Sequence, residues 1–280
     1  MQEPKDKNIT LREASELPAV ADWKDELQQK LKSKKPTVFL DYDGCLSPIV
    51  KDPAKAVLSE EMKSVLQELA KVCKVAVVSG RDRQNVQNLV NLDMLYYAGS
   101  HGFDITGPDG MSAEPGGAKE ALPALDRSEQ ELQELIGNIA GAQVERKRYA
   151  IAVHYRNVAD EEVDKVRNAV DEVLSNHKEL KKGLGKKIIE LKPNLDWHKG
   201  KAVLWLMEAI GLKEEEVVPM YIGDDITDED AFATLQGRGI TILVGEHDDK
   251  TAADYSLEDV EDVRAFLSDL TQTIKQNQNV

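Results

Sequence analysis

The chain has 280 residues and a formal net charge of −15, with 36 Lys and Arg against 51 Asp and Glu. That length can bury the core of one large domain or two modest ones, while the acidity argues against nucleic acid or an anionic membrane as a partner. No run of about 18 apolar residues marks a membrane span. The polar start Met1–Asp6 lacks the form of a secretory signal, and Cys45 and Cys73 are too few for a disulfide scaffold or a zinc site. The expectation is a cytoplasmic monomer acting on a small molecule. An anionic substrate would need locally basic groups or a metal to be attracted.

Leu11–Leu31 carries apolar residues at Leu17, Val20, Ala21, Trp23, Leu27 and Leu31, which predicts one or two helices broken near Pro18. This N-terminal helical segment, 1–34, leads into a first buried strand at Thr37–Leu40 that ends in Asp41-Tyr42-Asp43-Gly44. Ser59 has the position of an N-cap, and Met62, Val65, Leu66, Leu69 and Val72 continue at helical spacing. Val75–Val78 is a second short strand running into Ser79-Gly80-Arg81. A helix rich in Asn and Gln and a third strand at Met94–Ala98 lead to Gly99-Ser100-His101-Gly102. Alternating strands and helices are the pattern of a doubly wound parallel sheet.

The texture changes after Gly107-Pro108-Asp109-Gly110. Ser128-Glu129-Gln130-Glu131 has the form of a capping box opening a helix. A strand at Tyr149–His154, a helix lined by Val163, Val166, Val170, Val173 and Leu174, and a strand at Lys187–Leu191 come next. Residues 108–193 therefore read as an α+β insert with a modest core of its own. After Pro193 the alternation resumes with a helix at Lys201–Ile210, a strand at Val217–Ile222, a helix at Glu229–Leu235 and a strand at Ile240–Val244. A last helix spans Val260–Leu270, with a frayed tail from Thr273. The expected fold is α/β: a doubly wound, Rossmann-like core of 35–107 and 194–280, interrupted by the smaller insert.

Asp41 and Asp43 leave the first strand where open α/β sheets bind ligands, beyond the carboxyl ends of the strands. Two residues apart, they point to one side of the chain and repel by roughly 4 kcal/mol at an effective dielectric of ~20. A bound divalent cation removes that cost. Asp-x-Asp-Gly by itself is equally a helix-capping turn. A second acidic run, Asp224-Asp225-Ile226-Thr227-Asp228-Glu229-Asp230, follows the strand at Val217–Ile222. Acids favour a helix start, which accounts for Asp228 and Glu229 but not for Asp224 and Asp225 at the strand exit. Two acidic strand exits in one sheet make an oxygen-rich pocket for a hard cation, Mg²⁺. Ser79-Gly80-Arg81 offers a hydroxyl and backbone N–H groups to an anion. Lys199 or Lys201, opening the helix after the insert, can neutralise phosphate oxygens.

In this order, Asp41-Tyr42-Asp43-Gly44, Val78-Ser79-Gly80-Arg81, Lys199-Gly200 and Gly223–Asp228 resemble the four motifs of the haloacid dehalogenase-like phosphatases. More narrowly, from about Lys35 to Leu267 the chain resembles the trehalose-6-phosphate phosphatases. That likeness runs through Leu46-Ser47-Pro48-Ile49, Tyr97–Gly102, Val153-His154-Tyr155-Arg156, Glu190-Leu191-Lys192-Pro193 and Gly223–Phe232. The resemblance implies hydrolysis of trehalose 6-phosphate, with Asp41 as a nucleophile that becomes an aspartyl-phosphate. Asp43 would be the general acid and then the base, its carboxyl pushed up in the substrate complex.

Mg²⁺ would be held by Asp41, the backbone carbonyl of Asp43 and Asp224, with Asp225 or Asp228 on it or behind it. Ser79 and Lys199 would hold the phosphoryl oxygens, and Gly80, Arg81 and His101 would line the substrate site. The family pattern places Lys-Gly before Lys-Ala, which favours Lys199 over Lys201. Cys45 departs from the small polar residue usual after Asp-x-Asp-Gly and is expected to be packed, not reactive. By resemblance the insert is the specificity cap, with Glu145, Lys147, His154, Arg156, Glu190 and Lys192 as sugar-binding candidates; each is otherwise a surface charge of a small sheet. A sister enzyme acting on sucrose phosphate, glucosylglycerol phosphate or a hexose phosphate would share the same core. An inactive sugar-phosphate-sensing domain is the third reading.

Overall fold

The structure, a computed structural model, describes residues 9–50, 52, 55–185, 187–247 and 249–278. The chain divides into two compact units, Met1–Ser112 with Trp197–Val280, and Ala113–Asp196.

The first unit is built on an eight-stranded sheet. Its strands are β1 (Lys35–Leu40), β2 (Lys74–Val78), β3 (Tyr96–Gly99), β4 (Asp104–Thr106), β5 (Ser112–Ala113), β10 (Val217–Gly223), β11 (Ile240–Val244) and β12 (Tyr255–Leu257). The order is β12-β11-β10-β1-β2-β3-β4-β5. From β12 to β3 every pairing is parallel, and β4 returns antiparallel to β3. The sheet is therefore mostly parallel, with a short antiparallel extension that the expected pattern lacked.

Because successive strand residues face opposite sides, each strand feeds two cores. Val38, Leu40, Val75, Val77, Val218, Met220, Ile222, Ile240 and Ile242 face one layer. That layer holds α1 (Lys24–Ser33), α2 (Glu60–Ala70), α3 (Arg83–Val90) and α8 (Val260–Gln278). Phe39, Ala76, Val78, Val217, Tyr221 and Leu243 face the other, with α6 (Lys199–Ala209) and α7 (Glu229–Leu235). Sealed on both faces, the central strands are apolar where buried apart from Thr37 and Thr241, as parallel sheets tend to be. Ser59 caps α2 as expected, its hydroxyl accepting from the Met62 N–H at 3.1 Å.

The second unit is a four-stranded antiparallel sheet in the order β6-β7-β9-β8, covered by α4 (Leu122–Ile136) and α5 (Asp160–Asn176). Its strands are β6 (Gln143–Lys147), β7 (Ala150–His154), β8 (Leu180–Gly185) and β9 (Ile188–Pro193). Ile151, Val153, Ile189 and Leu191 pack on the helices. The alternate residues line the opposite face of the sheet.

Several boundaries depart from expectation. Helix α4 begins at Leu122, with Pro123 in its first turn, so Ser128 is a fully buried mid-helix residue and not a cap. Its neighbours Ala124, Leu125, Leu132 and Ile136 form the buried stripe, and burying that stripe outweighs a local capping pattern. The last helix does not stop at Leu270: Ile274 is buried, and Lys275 bonds Glu68 at 2.7 Å, so the expected frayed tail is helical to Gln278. Helix α6 starts at Lys199, two residues early. The N-terminal segment forms two short 3₁₀ turns, Ala14–Glu16 and Val20–Trp23, before α1; the Trp23 side chain lies outside the described residues. Strands β6 and β8 were not foreseen because they are the edges of their sheet, where only one face is apolar and the pattern is weak.

Candidate active site

Strand order builds this site. Since β1 lies between β10 and β2, the residue leaving β1, Asp41, sits beside Asp224 leaving β10 and Ser79 leaving β2. The Asp41 N–H donates to the Ile222 carbonyl at 2.9 Å, extending the β1–β10 ladder one residue into the turn. Gly44 comes next with φ 78°, its N–H on the Ser47 carbonyl at 2.8 Å. A side chain there would be strained and would overlap the Asp224 carboxylate, so only glycine lets the first acidic turn close on the second.

Asp41, Asp224 and Asp228 each place a carboxylate oxygen within 4.8 Å of the others. The compensating charge is Lys199, the first residue of α6. Its ammonium lies 2.7 Å from Asp228 Oδ1, 3.4 Å from Asp41 Oδ1 and 3.9 Å from Asp225 Oδ1. It is 2 % exposed. Burial opposes its charge, but Asp228, Asp41 and Asp225 more than offset this and hold the ammonium above its ordinary range. Asp41, 5 % exposed, is pushed well up by burial, with Lys199 as the main opposing influence. Burial, then Asp228 and Asp225, raises Asp224 to about 7.

Asp225 turns away from the cluster in part: its Oδ1 accepts from the Thr227 N–H at 2.9 Å and the Thr227 hydroxyl at 2.7 Å. Asp228 accepts from Lys199 and from the backbone N–H groups of Asp224 and Asp225, at 3.1 and 3.2 Å. Cys45 is fully buried and its thiol is pushed well up, first by burial and then by Asp41, so it is packed and inert.

Arg81 goes where the sequence did not point. It makes a two-pronged contact with Asp43, Nε to Oδ2 at 2.6 Å and Nη2 to Oδ1 at 2.7 Å. It also donates to Asn85 Oδ1 at 3.2 Å and stacks over the Tyr42 ring at 5.3 Å. The reason is geometric: a guanidinium fork matches a carboxylate, and β1 and β2 are neighbours. Both oxygens of Asp43 are thus engaged by the one guanidinium.

Ser79 is buried, and its hydroxyl accepts from the Arg81 N–H at 3.1 Å. Its carbonyl accepts from the N–H of His101 at 2.9 Å. Ser100 and His101 both have positive φ, 50° and 57°, a costly conformation for non-glycine residues. The strain brings the imidazole against Gly80, where an added Cβ would lie 2.9 Å from it.

In the second unit, Glu145, Lys147, His154, Glu190 and Lys192 all fall on the sheet face away from the helices, since Ile151, Val153, Ile189 and Leu191 occupy the other. His154 Nε2 lies 2.7 Å from Glu145 Oε2, and Lys147 donates to Glu190 Oε1 at 3.0 Å. The hydrogen bond from His154 draws the Glu145 carboxyl below its usual value. Small residues, Ala152 and Gly183, flank Glu190 in register. Arg156 lies in the turn after β7 and outside this sheet. Two residues were missed altogether: Tyr42, whose hydroxyl reaches the Ala56 carbonyl at 2.7 Å, and Tyr221, 2.6 Å from Asp228. The available signal was a phenol within a strand-and-turn run otherwise apolar or acidic.

The sequence model of the trehalose-phosphatase family matches residues 39–261. Trehalose 6-phosphate phosphatase RA3 of Zea mays is 43 % identical over 254 residues, covering 85 % of this chain and 70 % of that protein. An uncharacterized glycosyl hydrolase of Mycobacterium tuberculosis is also 43 % identical, over 262 residues and 91 % of this chain, but the match spans 20 % of its length. Among solved structures, a trehalose-6-phosphate phosphatase related protein superposes with a TM-score of 0.75 at 25 % identity, covering 86 % of this chain and 99 % of its own. With a family-wide match over most of its length and the acidic strand exits assembled around one lysine, the chain belongs to the trehalose-phosphatase family and is a phosphatase.

Proposed function

We propose that the chain hydrolyses trehalose 6-phosphate to trehalose and inorganic phosphate through a phosphorylated Asp41, with Mg²⁺ as cofactor. The observation that carries this reading is the buried Asp41 carboxylate, which has Lys199 at 3.4 Å and lies beside a second acidic turn. Four carboxylates, Asp41, Asp224, Asp225 and Asp228, gather near one ammonium and leave uncompensated negative charge, and burial raises the Asp41 and Asp224 carboxyls. Hard oxygen donors with surplus charge fit a hard divalent cation. Asp41, Asp224 and the Asp43 carbonyl would hold it, and when bound it supplies positive charge to the phosphoryl oxygens.

Asp41 attacks phosphorus, its Oδ–P bond forming as the P–O bond to the sugar breaks. Lys199 and the Ser79 hydroxyl hold the phosphoryl oxygens, since this transition state is stabilised mainly by position and charge. Asp43, protonated in the substrate complex, gives that proton to the leaving sugar oxygen and, as a carboxylate, then takes one from the water that cleaves the aspartyl-phosphate. Glu145, Lys147, His154, Glu190 and Lys192 offer charged donors and acceptors to sugar hydroxyls.

Phosphate release across trehalose 6-phosphate, sucrose 6-phosphate, glucosylglycerol phosphate and glucose 6-phosphate tests the reading. The highest kcat/KM is expected on trehalose 6-phosphate, and a preference for any other ester would refute that choice of substrate. Among the described residues no helix is long and apolar enough to cross a membrane.

A further inference from the structure

Tyr221 has no part in the chemistry just described, yet its hydroxyl is placed with care. The side chain is fully buried in the apolar layer of α6 and α7, its ring edge-on to Phe232 at 5.8 Å and 80°. A phenol oxygen in such a layer is costly unless bonded, and its partner is Asp228 Oδ1 at 2.6 Å. That same oxygen accepts from Lys199 at 2.7 Å. The other, Oδ2, accepts from the N–H groups of Asp224 and Asp225 at 3.1 and 3.2 Å.

A carboxylate offers about four lone-pair positions. Asp228 meets a donor at each, and Tyr221 supplies the fourth. Although an Asp228 oxygen lies within 4.8 Å of oxygens of Asp41 and Asp224, the carboxylate is filled by its own protein. Its orientation also decides where the Lys199 ammonium points, because that ammonium is buried and Asp228 is its shortest contact.

We propose that Tyr221 is a positioning residue of this active site. Its buried hydroxyl completes the donor set of Asp228, fixing that carboxylate as the clamp that aims Lys199 and pins the 224–225 backbone, and leaving Asp41 and Asp224 as the side chains open to a divalent cation. The inference rests on the phosphatase reading but not on the identity of the sugar.

Tyr221→Phe removes one oxygen and keeps the ring. Hydrolysis of p-nitrophenyl phosphate should lose about tenfold in kcat with KM changed less than threefold. Mg²⁺ affinity, measured by calorimetry without substrate, should stay within threefold of wild type, while Asp224→Asn loses more than tenfold. Phe232→Leu loosens the same packing without touching the hydroxyl. It should keep kcat within threefold even where its melting temperature falls as far as that of Tyr221→Phe. Wild-type kcat in Tyr221→Phe would overturn the proposal, as would an equal kcat loss in Phe232→Leu, which assigns the effect to packing. A Mg²⁺ affinity that falls in Tyr221→Phe as it does in Asp224→Asn would overturn the assignment of Asp228 as a clamp. A wild type inactive on trehalose 6-phosphate but active on p-nitrophenyl phosphate would refute the proposed substrate and leave this test intact.

Discussion

The carboxylates around Lys199 predict a Mg²⁺ affinity that climbs with pH. Asp224 is raised from 3.8 to about 7, mainly by burial and by its acidic neighbours. That displacement is a bias of roughly 4 kcal/mol against the charged form. In the metal-free protein, a carboxyl held above its unfolded value contributes stability that is fully present below 3.8 and lost as pH rises to about 7. A cation takes over from the proton. Between pH 5 and 7 the Asp224 carboxyl alone should therefore expel about one proton on binding, and its share of the change should lower the apparent dissociation constant about tenfold per pH unit before levelling off.

Calorimetry in buffers of different ionisation enthalpy counts that proton directly. At a fixed Mg²⁺ excess, the hundredfold change is worth about 2.7 kcal/mol of stabilisation. For a chain of this size it adds on the order of 5–10 °C to the Mg²⁺-induced rise in melting temperature at pH 8 relative to pH 5. A dissociation constant flat from pH 5 to 8, with no proton released at pH 6, would show the carboxylates already charged and refute the burial argument.

Three further outcomes are expected from the geometry. Asp41→Asn should abolish phosphate release while leaving the melting temperature of the metal-free protein unchanged or higher, since it removes a buried charge; measurable turnover would remove Asp41 as nucleophile. Arg81→Lys breaks the fork on Asp43. It should slow first-turnover release of the sugar about tenfold or more but release of p-nitrophenol little, because nitrophenolate leaves without a proton; equal losses would put Arg81 on the phosphoryl group. Glu190→Gln, which removes the negative charge facing Lys147, should raise KM for trehalose 6-phosphate about tenfold and leave p-nitrophenyl phosphate hydrolysis unchanged. An unaltered KM would take Glu190 out of sugar recognition.

The strands, the alternation and the acidic exits at Asp41 and Asp224 were legible in the sequence because they are local. A buried parallel strand must be apolar along its whole length, and the residues just past its carboxyl end are contiguous with it in the chain. A break in that rhythm put the insert at 108–193, whereas the compact unit runs Ala113–Asp196; its edge strands β6 and β8 were not foreseen, since an edge shows its partners only once the sheet exists. Ser128 misled for the complementary reason: a capping box is a local motif, and the buried stripe of α4 overrode it. The partnerships were decided by tertiary structure alone. Nothing in the spacing says that Arg81 must meet Asp43 across 38 residues or that Lys199 must meet Asp228 across 29. The first contact exists because β1 lies beside β2, the second because the starts of α6 and α7 meet in the layer those helices share. The sequence alone determined which groups could do chemistry; the strand order decided which of them touch, because only the fold chooses which carboxylate meets which cation.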